Sequence, residues 1–185
     1  MKKQSVFMFL PFLLFLLTLP LHAAFGAQPA QEAPQVTFPA PESQQVQTYL
    51  GLKTAEPFTI SKVNGKLVVV EFFSAVCPQC LTNAPVVNKL YKAIQEDPGL
   101  KGVKLMAVAI GNEKPQVEAY RKNFKVAYPI FLDEAFAISA AMDGVETPTT
   151  VVFSTASGKV LASHHGVIKD FDGYLKNLKA LYKNQ

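Results

Sequence analysis

The chain has 185 residues, which is the usual length of one domain with or without a leader. Hydrophobic residues make up 49% of it and charged residues 17%, a balance that excludes a disordered protein. The net charge of +4 comes without a long basic run, which argues against nucleic acid as a partner, and two cysteines are too few for a disulfide-stapled framework or an all-cysteine zinc site.

Residues 1–26 have the three-part pattern of a secretory signal peptide. Two lysines open the segment, an almost wholly apolar run extends from Val6 to Leu21, and small residues precede a cut before Ala27. The alternative is an uncleaved leader that anchors the protein to the inner membrane, although Pro11 interrupts a run already shorter than the roughly 20 residues of a membrane span. We therefore expect a periplasmic or otherwise extracytoplasmic protein.

The chain after the leader divides into a lead-in and a domain. Residues 27–56 begin with a stretch rich in Pro, Gln and Ala and are predicted to be a flexible lead-in, and residues 57–185 to form the folded domain. A short strand is expected over 58–60, and Asn64-Gly65 is a strong turn signal. The continuous apolar run from Leu67 to Phe73 favours a central strand that is covered on both faces.

Beyond that strand, helical and extended patterns alternate. Apolar residues recur at helical spacing as far as Gln95, and Pro85 within this pattern is expected to kink the helix. The remaining predicted elements are strand 103–110, helix 115–124, extended segment 128–132, short helix 134–142, strand 149–153, strand 159–163 and helix 171–182. This order predicts an α/β fold with a mixed central sheet flanked by helices.

Cys77 and Cys80 stand directly after the buried strand and at the first turn of a helix. The partial positive charge and unpaired N–H groups of a helix start lower the pKa of a thiol placed there, and the thiolate is the nucleophile. Cys77, at the helix edge, is the expected attacking sulfur, and Cys80 is expected to resolve the mixed disulfide. Pro78 suits the first helical position, and Gln79 is a neutral modulator between the cysteines.

Two other readings of the cysteine pair stay open. An inert structural disulfide between Cys77 and Cys80 closes so short a loop that it stabilises little. The pair could instead form half of a metal site, but the adjacent His164 and His165 would face opposite ways on a strand and make poor joint ligands. A redox-active pair is therefore favoured, and no metal is expected.

Glu71 and the Thr147-Pro148 pair supply further candidate site residues. Glu71 lies inside the apolar strand, where burial should raise its pKa and suit it to exchange a proton with Cys80, unless it faces outward. Thr147-Pro148 stands just before a strand. A cis bond there would turn the Thr147 backbone towards the sulfurs, where it could bind an extended substrate peptide, whereas the alternative is an ordinary strand-opening proline.

The chain resembles the thioredoxin superfamily over residues 57–182, and most closely its exported TlpA/ResA-type thiol-disulfide oxidoreductases. The resemblance is carried, in chain order, by Val69-Val70-Glu71-Phe72-Phe73-Ser74, Cys77-Pro78-Gln79-Cys80, Pro85, Thr147-Pro148-Thr149-Thr150 and Ser157-Gly158-Lys159. It implies a thioredoxin-like fold, a nucleophilic Cys77, a resolving Cys80 and a cis-Pro148. It also implies an extra strand-helix insertion before the cis-proline, at about residues 113–132.

The chain departs from the TlpA/ResA pattern at three positions. Val76 replaces the usual Trp before the first cysteine, and Asn83 replaces a Glu common in the reductases. The run from Glu71 with Cys-Pro-x-Cys is similar to the oxidising DsbA branch, where a His stands in place of Gln79. A positive His stabilises the thiolate and makes such a protein more oxidising, whereas the neutral Gln79 does not.

We interpret the sequence as an exported thiol-disulfide oxidoreductase, leaning to a reductase. Its expected partners are proteins with cysteine thiols or disulfides and an unidentified membrane or periplasmic redox partner, and no diffusible cofactor is needed. One alternative is a DsbA-like periplasmic oxidase. Another is a non-catalytic copper-binding chaperone, in which Cys77, Cys80 and a histidine would hold Cu(I).

Overall fold

The structure is a computed structural model that describes residues 36–185, so the predicted leader and the predicted cut before Ala27 lie outside the described residues. Two short 3₁₀ turns, Ile60–Lys62 and Pro98–Leu100, accompany its strands and helices. The strands and helices, in chain order, are β1 (Thr37–Phe38), α1 (Gln44–Leu50), β2 (Phe58–Thr59), β3 (Leu67–Phe73), α2 (Pro78–Glu96), β4 (Val103–Ile110), α3 (Lys114–Phe124), β5 (Ile130–Asp133), α4 (Ala137–Ala140), β6 (Thr149–Ser154), β7 (Val160–His165) and α5 (Phe171–Lys183).

A five-stranded mixed sheet in the order β5-β4-β3-β6-β7 forms the centre of the domain. β3 lies in the middle, parallel to β4 and antiparallel to β6, while β5 and β7 form the two edges. All seven residues of β3 are buried, which explains why that strand is apolar on both faces. The predicted α/β fold with a mixed sheet is confirmed, and a separate two-stranded ladder pairs β1 with β2.

Two apolar layers cover the sheet. Val69 and Phe73 of β3 pack with buried residues of α2, α3 and α5 on one face. Val68 and Phe72 pack on the other face with residues of β1, α1 and α4. This alternation follows from the two-residue period of a strand, and it places the polar side chain of Glu71 on the same face as α2.

The prediction of a flexible lead-in is wrong for the described part of that segment. Val36, Phe38 and Leu50 are buried and help to cover the second face of β3. The Ser43 side chain caps the start of α1, accepting a hydrogen bond from the N–H of Val46 at 3.3 Å. The polar, proline-rich composition of the segment predicts flexibility because its apolar residues are few. These residues nevertheless shield the second face of the central strand from water.

The segment expected to form an insertion carries a helix followed by an edge strand, α3 and then β5. The Ile130 end of β5 pairs with Ala107 of β4, so this segment widens the sheet by one strand.

Two helices differ in extent from the sequence-based expectation. The short helix predicted over 134–142 is only the four residues of α4. Helix α2 continues through Pro85 to Glu96. Within residues 36–185, no helix combines the length and apolar character needed to cross a bilayer.

Candidate active site

The two cysteines lie where the central strand β3 passes into helix α2. The N–H of Cys77 donates a hydrogen bond to the carbonyl oxygen of Ser74 at 3.2 Å, which closes a turn between strand and helix. Cys77 has extended backbone angles and caps the helix, and Pro78 takes the position next to it, where its missing N–H leaves no hydrogen bond unmade. The structure thus places Cys77 at the helix edge and Cys80 within the first turn.

Cys77 carries the more easily ionised thiol. It is half-buried, and its thiol is free. Partial burial by itself would raise its pKa, but hydrogen bonds to the sulfur from the backbone N–H and thiol of Cys80 and from Thr147 outweigh that effect and bring the pKa of the Cys77 thiol below its usual value. The helix leaves its first N–H groups without internal partners, so they are free to serve the sulfur. The resulting thiolate is the form that attacks disulfides.

Cys80 is buried, and its thiol is free as well. Burial raises the pKa of the Cys80 thiol to about 12, despite a hydrogen bond from the backbone N–H of Ser74, which lies 3.4 Å from the sulfur. Two thiols one helical turn apart therefore differ sharply in acidity. Cys77 forms a thiolate more easily than Cys80 does.

The loop before β6 reaches the exposed side of the cysteine pair. The Thr147–Pro148 peptide bond is cis, and the Cys77 thiol lies 3.8 Å from the carbonyl oxygen of Thr147. The carbonyl of Pro148 accepts a hydrogen bond from the N–H of Gly166 at 2.8 Å, which ties the loop to the end of β7. Because β6 pairs with β3, this loop is held beside the residues that follow β3.

Glu71 is completely buried beneath α2. Its carboxylate accepts hydrogen bonds from the Asn83 amide and the Tyr128 hydroxyl, each at 3.2 Å, rather than from a cysteine. Burial raises the pKa of the Glu71 carboxyl to about 7, although both hydrogen bonds act in the opposite direction. The Glu71 side chain faces inward and its pKa is raised, as the sequence predicts. Because that pKa is about 7, the carboxyl can gain or lose a proton near neutral pH.

The two partners of Glu71 were not predicted from the sequence. A polar residue such as Asn83 would be expected on the helix surface, but its side chain is fully buried. Its amide oxygen also accepts a hydrogen bond from the N–H of Ile168 at 3.0 Å. The helical spacing could have indicated this, since Asn83 lies three residues after Cys80 and four before the buried Val87. Nothing in the sequence pattern links Tyr128 to Glu71.

The two histidines do not act as a pair. His164 packs edge-on against the ring of Tyr174, with ring centroids 5.8 Å apart. The Nε2 atom of His165 lies 3.2 Å from a carboxylate oxygen of Glu146, and its Nδ1 atom 3.1 Å from the hydroxyl of Thr149. In the part of the chain that the structure describes, no three His, Cys, Asp or Glu side chains are grouped so that they could hold a metal ion.

Asn112, which was likewise not predicted from the sequence, anchors the loop that carries the cysteines. This buried side chain follows β4, and its amide oxygen accepts a hydrogen bond from the backbone N–H of Ala75 at 2.9 Å. Its amide nitrogen donates to Gln116 at 3.4 Å. Ala75 is two residues before Cys77, so Asn112 joins the ends of the two central parallel strands and steadies the approach to the helix.

Replacing Asn112 with alanine is expected to lower the free energy of unfolding by about 1–3 kcal/mol, because the N–H of Ala75 loses its partner. It should also move the pKa of Cys77 towards the value of a free thiol, since the loop no longer holds the sulfur against the helix start. Urea unfolding and the pH dependence of alkylation by iodoacetamide measure the two effects. Asn88→Ala is the control: it removes a hydrogen bond to the carbonyl of Phe124, and an equal change in the Cys77 pKa there would contradict the anchoring role.

Two free thiols one turn apart, of which one ionises easily and the other does not, are what thiol–disulfide exchange requires. Fold and site together define a thioredoxin-like dithiol protein. The chain belongs to the Redoxin family, whose model matches residues 28–182.

Individual relatives and solved structures show which kind of Redoxin protein the chain resembles. The chain is 28% identical over 122 residues to the thiol-disulfide oxidoreductase ResA of Geobacillus thermodenitrificans, covering 65% of this chain and 67% of that protein. A secreted disulfide oxidoreductase of Mycobacterium tuberculosis homologous to DsbE has a similar fold, with a TM-score of 0.59 and 17% identity over 82% of this chain and 99% of that one. StoA of Bacillus subtilis gives a TM-score of 0.56 and 22% identity, covering 80% and 97%.

These likenesses confirm the ResA/TlpA-type assignment and the thioredoxin-like fold predicted from the sequence. They also support thiol-disulfide oxidoreductase activity and favour neither of its alternatives, the DsbA-like oxidase and the copper-binding chaperone.

Proposed function

We propose that the protein is an exported reductase of protein disulfides and that Cys77 is its attacking nucleophile. The observation that carries this proposal is the opposite pKa shifts of the two thiols, lowered for the half-buried Cys77 and raised for the buried Cys80. The Cys77 thiolate attacks one sulfur of a client disulfide. One client sulfur leaves as a thiolate, and the other becomes joined to Cys77 in a mixed disulfide.

Cys80 completes the reaction. Its thiol gives up a proton, for which the buried Glu71 is the proposed base, and its thiolate attacks the Cys77 sulfur. The Cys77–Cys80 disulfide forms, the second client sulfur leaves, and two electrons have passed from the cysteine pair to the client. The raised pKa of Glu71, about 7, suits a group that must take a proton near neutral pH and release it later.

The client is proposed to bind along the cis-proline loop. Thr147 lies beside the Cys77 sulfur, so its backbone is placed to bond an extended client segment as an added strand. Pro78 and Gln79 are exposed at the start of α2 and form the rim that the client meets. Proteins with cysteine disulfides are therefore the proposed substrates, and a membrane or periplasmic redox partner restores the reduced pair.

Reduction is favoured over oxidation because no positive side chain stands between the cysteines. Gln79 is neutral, so the thiolate of Cys77 depends on hydrogen bonds rather than on a neighbouring charge. Equilibration with glutathione, followed by thiol alkylation, measures the potential of the pair. A value near about −270 mV supports a reductase, whereas one near about −120 mV would make the protein an oxidase of the DsbA kind.

Export is proposed from the signal-peptide pattern of residues 1–26 and from the likeness to a secreted oxidoreductase. Expression of the full chain in a Gram-negative host, followed by N-terminal sequencing of the periplasmic fraction, tests it. A mature N-terminus close to Ala27 supports cleavage. Recovery only in the membrane fraction, with the leader intact, supports the anchored alternative.

An uncharged surface beside Cys77 is proposed to contact the client. Val76 is 66% exposed, and with Leu81 it opens onto a groove of about 360 Å³ that reaches Phe124 and has no charged lining residue. An exposed valine next to the reactive sulfur has no packing role in the free protein. Covering it with an apolar part of the client would therefore contribute to binding.

Replacing Val76 with asparagine is expected to raise KM for a protein disulfide about tenfold and to leave kcat nearly unchanged, because about 1.4 kcal/mol of apolar contact is lost. Steady-state reduction of insulin measures both constants. A small disulfide, which does not reach the groove, should react at the unaltered rate. Val160→Asn, on the exposed face of β7, is the matched control. Equal effects of the two substitutions would contradict the client-binding surface.

A further inference from the structure

Three tyrosines surround Glu71 in the layer beneath α2. The hydroxyl of Tyr128 donates to the Glu71 carboxylate at 3.2 Å. The hydroxyls of Tyr120 and Tyr174 are also buried, and neither makes a hydrogen bond of good geometry, although the hydroxyl of Tyr128 lies beside the first and that of Thr150 beside the second. Native proteins pair nearly all buried hydroxyls, so an unpaired one needs a structural or chemical explanation. The mechanism described above uses none of the three.

Tyr120 differs from Tyr174 in its position relative to Cys80. It lies on α3, is only 2% exposed, and its ring packs 4.4 Å from that of Phe73, two residues after Glu71 on β3. Burial raises the pKa of the Tyr120 hydroxyl, and the charges of both Glu71 and Cys80 raise it further. The hydroxyl of Tyr174 is affected by Glu71 but not by Cys80. Tyr120 packs in the same buried layer as Cys80 and Phe73, so it is near both the resolving sulfur and the carboxylate of Glu71.

We propose that Tyr120 is a proton-relay residue that passes the Cys80 proton, by way of Tyr128, to the carboxylate of Glu71. This inference rests on the proposed function, in which Cys80 must lose a proton before it attacks. The geometry that supports it is the cluster itself: Glu71 bonds to Tyr128 rather than to a cysteine, and Tyr120, with its buried hydroxyl, packs against Phe73 in the layer that also holds Cys80.

The relay conserves protons at every position. The Cys80 thiol transfers its proton to the Tyr120 oxygen, Tyr120 releases its own to Tyr128, and Tyr128 releases its own to Glu71. Each hydroxyl takes up one proton and gives up one, so neither tyrosine has to remain ionised. The Cys80 sulfur is left as a thiolate that attacks Cys77, and a reverse transfer restores the starting state once the pair is reduced again.

The pH dependence of the step follows from the groups that face Tyr120. These are Glu71 from β3, Cys80 from α2 and Tyr128 from the segment before β5, and Tyr91 of α2 packs against Tyr128 at 5.7 Å. The pKa values of Tyr91, Tyr120, Tyr128 and Cys80 are all raised, so these groups stay protonated near neutral pH. Glu71 alone among them changes charge there, and the relay accepts a proton only when Glu71 is ionised.

The reagent 5,5′-dithiobis(2-nitrobenzoate) separates the two chemical steps in one stopped-flow experiment. The reduced protein releases one chromophore when Cys77 attacks and a second when Cys80 resolves the mixed disulfide. Tyr120→Phe keeps the ring and removes only the hydroxyl. We expect the second phase to slow about tenfold or more and to lose its inflection near pH 7, while the first phase is unchanged.

Tyr174→Phe is the matched control, because it removes another unpaired buried hydroxyl near Glu71 and should leave both phases unchanged. Tyr128→Phe breaks the hydrogen bond to Glu71, should slow the second phase as well, and serves if Tyr120→Phe does not fold. A second phase of normal rate and pH profile in Tyr120→Phe, or equal slowing in Tyr174→Phe, overturns the relay. A first phase that is absent from the unaltered protein, or that persists in Cys77→Ser, overturns the proposed function instead.

Discussion

Replacing Cys77 with serine is expected to abolish reduction of insulin disulfides, with the catalysed rate falling by about a thousandfold or more. In the proposed reaction the Cys77 thiol, whose pKa is lowered, supplies the attacking thiolate, whereas a serine hydroxyl stays protonated at neutral pH. The hydrogen bonds at the start of α2 remain, but the group they would stabilise is no longer a nucleophile. Turbidity of reduced insulin in the presence of dithiothreitol measures the effect.

Cys80→Ser provides the comparison for that experiment. The variant keeps the Cys77 thiol and should attack a client disulfide, but nothing then resolves the product. A stable mixed disulfide between Cys77 and the client should accumulate and appear on a non-reducing gel. If Cys77→Ser retained insulin reduction, or if the two variants trapped client equally well, the assignment of Cys77 as nucleophile would be wrong.

Replacing Glu71 with glutamine is expected to stabilise the protein above pH 7 by as much as about 3 kcal/mol. The carboxyl titrates near 4.5 in the unfolded chain and near 7 in the folded one, and each unit of difference corresponds to about 1.36 kcal/mol. Below pH 4.5 both states are protonated and no penalty applies. As the pH rises through this window, the unfolded chain ionises first and the fold loses stability, until above pH 7 the full cost of a buried charge is present.

Urea unfolding at pH 4 and pH 8 tests this expectation. Glu71→Gln should differ little from the unaltered protein at pH 4 and should exceed it at pH 8, while the resolving step at pH 8 becomes slower because the base is gone. Glu96→Gln, which removes an exposed carboxylate paired with Lys92, should change stability by less than about 1 kcal/mol at either pH. Destabilisation by Glu71→Gln at pH 8 would show that the buried charge stabilises the fold.

Much of the fold was accessible from local patterns. The unbroken apolar run of β3 indicated a strand covered on both faces, and all its residues are buried. The expected boundaries of β4 coincide with Val103–Ile110, and those of α5 begin correctly at Phe171. These elements were predictable because burial of a whole strand, or of one helix face, leaves a periodic trace in the chain itself.

The errors arose where a few residues depend on distant partners. Val36, Phe38 and Leu50 stand in a polar stretch whose composition predicts flexibility, yet they cover the second face of the sheet. Asn83 looks like an ordinary polar helix residue, yet it is buried because Glu71 and the N–H of Ile168 satisfy its amide. Composition averages over neighbours in the chain and so carries no record of such pairings.

The sequence by itself determined where the cysteine pair lies, because a strand, a turn and a helix start are local, and two cysteines three positions apart on a helix lie one turn from each other. It also indicated a buried carboxylate at Glu71. Only the tertiary structure decided what that carboxylate touches: Tyr128 and Asn83 come from segments 57 and 12 residues away. Hydrogen-bond partners and desolvation are properties of positions in space, so the acidity of both Glu71 and Cys80 depends on the packing of the whole domain.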